Sequence, residues 1–330
     1  MNKREDIEMD KANEMYETQY GCLTGITRPE YNKNGKLMEC SFENKNILHT
    51  PYGEFIPQYT NEGARKKYIR SLTFYDNGNL RRLSLEEQTE IQTPVGMIQA
   101  EFITFYESGE LKRIFPLNGK LTGYWTEENE YEMAQPIALK MNFGLVEKKF
   151  ISLHFYQDGN IKSLTLWPKE TMSVPASGIN IRVRYGIAFY PGGRIKSLEP
   201  AYPLFQNTAI GKIACFDMNA NGINGDSESL NFNEDGSIRS LITSTDRIRV
   251  RNRKNNSIEI VEPYFTLSMI NDSEEDIVPL KIEFSDKECI LYGKEICNYS
   301  YEDYEFEIEN MTVTPKSSCG DCASCKSSCG

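Results

Sequence analysis

Phe105-Tyr106-Glu107-Ser108-Gly109-Glu110-Leu111-Lys112-Arg113-Ile114 decides the fold, because the chain returns to the same frame again and again. It recurs in the segments that begin at Tyr31 (YNKNGKLMEC), Phe74 (FYDNGNLRRL), Phe155 (FYQDGNIKSL), Phe189 (FYPGGRIKSL) and Phe232 (FNEDGSIRSL). Each holds an aromatic, commonly Tyr, two turn residues, Gly, one variable residue, Leu or Ile, and then commonly Lys or Arg. The glycines fall at 35, 78, 109, 159, 193 and 236. Self-similarity on this scale marks small supersecondary units that bury their apolar faces against neighbours.

Each unit reads as a β-hairpin. Before the turn, Leu72 and Phe74, Ile103 and Phe105, Leu153 and Phe155, and Leu230 and Phe232 alternate with polar residues at period two. Asp76-Asn77-Gly78, Asp158-Gly159 and Asp235-Gly236 are hairpin turn chemistry, since Gly, Asn and Asp tolerate positive φ best. After the turn, Leu80 and Leu83, or Ile161 and Leu164, return to the buried side. The segments Thr93–Glu101 and Ala209–Ala214, each carrying a Gly near its start, predict third strands. A lone hairpin is marginal in water, so the units must stack. The expected fold is all-β: an elongated stack of repeated hairpins, meander or β-solenoid, ending in a flexible Cys-rich tail. The expected segments are a polar 1–24, a repeat region 25–245, an acidic closing β region 246–313 and the tail 314–330.

This frame resembles the MORN-variant repeats of bacterial proteins described as antitoxin-like. The resemblance spans roughly 25–245 and is carried best by 105–127, where a second turn, Asn118 to Trp125, follows the first. It implies an elongated β-hairpin stack and an interaction role, with a protein partner along the stack.

Composition narrows the classes. The 330 residues are 39% hydrophobic and 26% charged, with a net charge of −11. That acidity argues against general nucleic-acid or anionic-membrane binding. No apolar run approaches the roughly 18 residues of a membrane helix. The opening MNKREDIEMDKANEMYETQYG has no apolar signal-peptide region, so a cytoplasmic address is expected. There, cysteines serve more commonly as thiols or metal ligands than as disulfides.

Four of the nine cysteines, Cys319, Cys322, Cys325 and Cys329, close the chain at C-x2-C-x2-C-x3-C spacing. The run is similar to the cluster-binding run of bacterial ferredoxins and points to a [4Fe–4S] cluster. Two departures accompany it. In ferredoxins the fourth cysteine ligates a second cluster, and this chain has no second run; Gly330 stands where Pro is usual. A single cluster therefore needs Cys329 to fold back, or a ligand such as Cys289 or Cys297. Zinc in an all-cysteine site, redox-active or modified thiols beside Lys326, and an unliganded Gly/Ser/Cys end stay open. Cys22, Cys40 and Cys215 are read as small core residues.

Asp217, Asn219, Asn221, Asp226 and Glu228 fit the calcium-loop pattern D-x-[DN]-x-[DN]-G-x5-E. Ile223 sits in its seventh place, Gly225 supplies no side chain, and strands flank it, so an ordinary long loop is the favoured reading. Arg247 to Lys254 alternates basic and apolar residues. Either it binds phosphates or its arginines pair with the acidic strand Tyr301–Glu309; pairing is favoured. His154 occupies an outward slot held elsewhere by Thr73, Thr104, Ala188 and Asn231, and is expected exposed. His49 precedes a turn and has no evident partner. No catalytic constellation emerges, so no enzyme is expected. The tyrosines of the Phe-Tyr pairs form either a ligand stripe or, as favoured, packing on the second sheet face. Three roles follow: a scaffold whose tail binds a cluster or metal, a redox or electron-transfer accessory docking on an enzyme, or a pure protein-binding module.

Overall fold

The six Gly frames make one bonding pattern six times in the computed structural model, which describes residues 15–311 except 64, 68, 177, 222–224, 226–227 and 268–274. Tyr75 donates its N–H to the Asn79 carbonyl (2.8 Å), and Gly78 donates to the Tyr75 carbonyl (2.9 Å). The same two bonds recur around Asn32, Tyr106, Tyr156, Tyr190 and Asn233. The closing glycines have φ between +74° and +105°, a region closed to most L residues. Each turn is thus a three-residue loop ending in a left-handed Gly bulge. Asn77, Asp158 and Asp235 lock it by accepting the N–H of Asn79, Asn160 and Ser237 (2.9, 2.9 and 2.8 Å). That is the physical content of the Asx-Gly signal.

The chain forms two compact units. One comprises Met1–Pro203 and Asn219–Leu241, the other Leu204–Met218 and Ile242–Gly330. In the first, the hairpins pair side by side in chain order as an antiparallel meander. They are Ile26–Tyr31 with Leu37–Phe42, Leu72–Phe74 with Leu80–Thr93, and Gly96–Phe105 with Leu111–Phe115. Phe150–Phe155 with Ile161–Leu166, Ile179–Phe189 with Ile195–Pro200, and Leu230–Phe232 with Ile238–Thr243 continue it.

Register joins the units through one apolar row. Cys40, Leu72, Leu83, Ile103, Ile114, Leu153, Leu164, Ile187, Leu198, Leu230 and Leu241 are successive cross-strand partners. Every one is fully buried. Burying such a side chain contributes about 1.5–3 kcal/mol, so the row is the spine of the first unit.

A second hairpin series lies outside the Gly frame. Tyr16–Thr18 pairs with Gly21–Leu23, Leu48–Thr50 with Gly53–Phe55, and Ile137–Met141 with Gly144–Lys148. The outer halves of Leu80–Thr93 and Gly96–Phe105 form a fourth. Where the turn reads Thr-x-x-Gly, the Thr hydroxyl donates to the Gly carbonyl: Thr18 to Gly21 (2.7 Å), Thr50 to Gly53 (2.9 Å), Thr93 to Gly96 (2.7 Å). These small hairpins dock against the turn of a later large one. The Tyr52 hydroxyl accepts from the Leu111 N–H (3.1 Å), and its ring centroid lies 6.3 Å from that of Phe105. Likewise Phe143 stacks on Phe189 at 6.4 Å.

The second unit repeats the Thr-x-x-Gly hairpin in Leu204–Thr208 with Gly211–Cys215. It adds a sheet ordered Ile258–Val261, Asp246–Asn252, Tyr304–Asn310, and the pairs Tyr264–Leu267 with Glu275–Val278. Leu280–Phe284, Glu288–Tyr292 and Ile296–Ser300 complete it. One helix, Glu127–Met133, interrupts the all-β pattern among the described residues. Thr126 caps it in a capping box with Asn129, and Glu127, Glu128 and Glu130 suit the positive end of its dipole.

Candidate interaction surface

The tyrosines of the Phe-Tyr pairs are neither free nor simply packed. Each hydroxyl donates to the carbonyl of the Phe in the next hairpin: Tyr75 to Phe105 (3.0 Å), and Tyr106 to Phe155, Tyr156 to Phe189 and Tyr190 to Phe232 (2.8 Å each). The four bonds form a ladder running in chain order. At both ends the position is Asn, Asn32 and Asn233, which cannot reach as far. The rings are half-buried. Burial, then the neighbouring Tyr106, Asp158, Tyr190 and Glu234, push the Tyr156 phenol above its ordinary value.

The same frame places a cation six residues after each ladder position: Arg81, Lys112, Lys162, Lys196 and Arg239. Three lie over the ring of their own hairpin's tyrosine, Arg81 at 5.7 Å from the Tyr75 centroid, Lys112 at 5.5 Å from Tyr106 and Lys162 at 5.6 Å from Tyr156. None of the five makes an ion pair or side-chain hydrogen bond among the described residues. Several other arginines of this acidic chain are paired with carboxylates. Arg65 grips Glu101 (2.8 and 2.7 Å) and Glu130 (2.8 and 2.9 Å), while the Trp125 indole donates to Glu130 (3.0 Å). The Asn118 N–H donates to Glu101 (2.7 Å), so the second turn of the 105–127 segment is pinned to the same cluster.

His154 corrects an expectation. It does share its row with Thr73, Thr104, Ala188 and Asn231, opposite the apolar spine. Yet it is 6% exposed rather than open, and later segments bond to the same face elsewhere. Gly225 donates its N–H to the Thr165 hydroxyl (3.0 Å), and Ser229 donates its N–H to Glu199 (3.0 Å). The Arg113 guanidinium lies 2.9 Å from Nδ1 of His154. Since guanidinium only donates, Nδ1 accepts, and the neutral ring carries its proton on Nε2. His49 is exposed, with Nδ1 3.2 Å from Glu54, at the rim of a groove of about 540 Å³ lined by Tyr20, Tyr52, Leu80 and Phe105.

In the second unit the favoured pairing of the arginine strand is observed. Arg247, Arg249 and Arg251 face Glu309, Glu307 and Glu305 in register. Arg247 and Arg249 both reach Glu309 (2.6 and 2.8 Å), and Arg253 reaches Glu305 (2.8 Å). Hydrogen bonds from Arg249 and then Arg247 hold Glu309 below the usual carboxylate range.

The candidate metal residues are described only in part. Cys319, Cys322, Cys325 and Cys329 lie outside the described residues, as does Asp226 of the calcium pattern. Asp217 belongs to the second unit and Asn219, Asn221 and Glu228 to the first. Asn219 and Asn221 are exposed, whereas Glu228 is buried against Gly186, where an added Cβ would meet its Oε1 at 2.1 Å. No group of three His, Cys, Asp or Glu among the described residues is arranged to hold a metal ion. Cys40, Cys215 and Cys289 are buried, Cys22 is exposed and Cys297 is half-buried. Burial pushes the Cys40 and Cys289 thiols up to about 12, so neither is a ready thiolate. Among the described residues no helix is long and apolar enough to cross a membrane.

Sequence reasoning missed the tyrosine ladder and the full Thr-x-x-Gly series. Signals for both were present: Tyr three residues before Gly78, Gly109, Gly159 and Gly193, and Thr three residues before Gly21, Gly53, Gly96 and Gly211. Comparison with family models, with curated proteins and with solved structures yields no match.

Proposed function

We propose that the chain is a cytoplasmic interaction scaffold: the hairpin meander engages a protein partner, and the C-terminal cysteines hold an iron–sulfur cluster or zinc. The observation that carries the scaffold reading is the row Arg81, Lys112, Lys162, Lys196 and Arg239. The repeat frame uses its Gly, Phe, Leu and Tyr positions to build the stack, but the cation position makes no carboxylate contact within it. Charges kept unpaired at equivalent positions support a surface for something outside the chain. For the tail, the support is chemical. Four thiolates at short spacing suit iron–sulfur or zinc ligation, and Cys319, Cys322, Cys325 and Cys329 would be the ligands.

Two measurements test this on the full chain. A photocrosslinking residue at position 162 should capture one discrete protein in cells, and Lys112→Glu with Lys196→Glu should abolish that product. A crosslink that survives both reversals, or none at all, overturns the scaffold reading. Anaerobic purification with iron, sulfide and zinc analysis should find metal that Cys322→Ser with Cys325→Ser removes. Equal metal content in the two proteins overturns the tail reading.

A further inference from the structure

Resting on the scaffold reading, we propose that the cation row takes an extended acidic segment in the polyproline II conformation, with a carboxylate at every third residue. The spacing of the row carries the inference. Arg81, Lys112, Lys162, Lys196 and Arg239 lie on the second strand of successive hairpins, so neighbours in the row are always two strands apart. At about 4.8 Å per strand, the interval is about 9.6 Å. A polyproline II helix rises about 3.1 Å per residue with three residues per turn, so residues i, i+3 and i+6 line one edge at intervals of about 9.3 Å. A β-strand partner fails here. Its side chains alternate, so residues i and i+3 point to opposite faces.

Charge and order agree with that geometry. Among the described residues the cation row makes no ion pair, in a chain of net charge −11. Tyr75, Tyr106 and Tyr156 rings lie beneath three of the head groups, which limits the side-chain freedom that binding must remove. A polyanion of uniform high charge, such as single-stranded DNA, fits less well. The turns beside the row carry Glu107, Glu110, Asp158, Glu234 and Asp235, which repel phosphates that fall between the cations. The twist of the sheet turns the row by roughly 40–50° per hairpin, so a stiff segment engages two or three cations at once.

The test is fluorescence anisotropy on the full chain at low salt, with labelled (Glu-Pro-Pro)6 as probe. Controls are a peptide of equal composition with its six Glu in one block, and a single-stranded DNA oligonucleotide of equal charge. Spaced peptide should bind at least about 10-fold tighter than the block peptide. Lys112→Gln/Lys162→Gln/Lys196→Gln should weaken it about 10-fold, the product of three half-exposed charge contacts. Lys33→Gln/Lys45→Gln/Lys287→Gln, which changes net charge equally, should not. Thermal unfolding of both variants confirms folding. Equal binding of spaced and block peptides, equal losses in the two variants, tighter binding of DNA, or no binding each overturns the proposal. If a partner still crosslinks at position 162, the scaffold reading stands and only the acidic-helix inference fails.

Discussion

Replacing Tyr156 by Phe removes one oxygen and nothing else from the ladder. The ring stays, and with it the support for Lys162 at 5.6 Å. What goes is the 2.8 Å bond to the Phe189 carbonyl. A neutral hydrogen bond contributes about 0.5–1.5 kcal/mol net, and because this site is half-buried, water can partly replace the lost donor. The expected loss is therefore about 1 kcal/mol, which lowers Tm by about 2–4 °C for a unit of this size. Adjacent rungs are about 9.6 Å apart, near the distance beyond which effects add, so removing all four hydroxyls should cost about 4 kcal/mol. Both tryptophans, Trp125 and Trp167, lie in the first unit, so their fluorescence during urea denaturation reports on the ladder's own unit. There is also a pH signature. The Tyr156 phenol is raised in the folded state, chiefly by burial. Its contribution is fully present below the unfolded value of about 10 and is lost as pH rises through the folded value. Tyr156→Phe should thus be less sensitive to alkali than the native chain. A variant within about 0.3 kcal/mol of native at neutral pH, with an unchanged alkaline limb, would refute the ladder as a stabilising device.

Two further outcomes follow from the turns and loops. Gly159 and Gly236 have φ of +82° and +88°, so Ala at either should cost about 1–2 kcal/mol in backbone strain. A Cβ on Gly159 would also lie 3.0 Å from Cγ of Pro94, whereas Gly236 faces open space, so Gly159→Ala should be the more destabilised in urea; equal midpoints would contradict the docking of the small hairpin. Glu86 is raised by burial but lowered more by Lys66, the Thr60 hydroxyl and the N–H groups of Tyr59 and Thr60, for a net shift below its ordinary value. Its contribution is present above the unfolded value of about 4.3 and lost as pH falls through the folded value, so Glu86→Gln should narrow its Tm gap from native on acidification, and a gap constant from pH 7 to 3 would sink that account.

The hairpin stack was legible because its signals are local. Gly109 with its flanking Glu107 and Glu110, or Asp158-Gly159, dictates a turn whatever lies beside it, and Leu153 with Phe155 marks one face by alternation alone. His154 shows where local logic stops. Period two assigned it to the right face, but alternation alone does not say whether that face is open; here it is buried, and Gly225 and Ser229 bond to the same face at Thr165 and Glu199. The helix Glu127–Met133 was hidden by the repeat reading of Trp125, although Thr126 and the acidic first turn spelled its start. Arg247 to Arg253 could be weighed because register needs only alternation on two strands. The cation row was visible as residue types yet not as a row, since its meaning lies in pairing order and in the carboxylates that do not reach it.

That distinction bears on where function resides in a repeat. Tyr, Phe, Gly and Leu recur because the next hairpin needs them: the hydroxyl of one unit satisfies a carbonyl of the next, and the Leu row is continuous only if every unit contributes. Their recurrence therefore says nothing about a ligand. The ladder also has ends, Asn32 and Asn233, so its length is set by where Tyr stops. The cation position is different. Arg81 could be removed without opening the spine or breaking a rung, and Met38 occupies the corresponding place in the first hairpin with the turn still formed. A residue that the architecture tolerates losing, but that recurs from Arg81 to Arg239, is where the proposed partner would be read. The spacing of the row is inherited from the strands beneath it, which is why the proposed period of about 9.6 Å follows from the sheet.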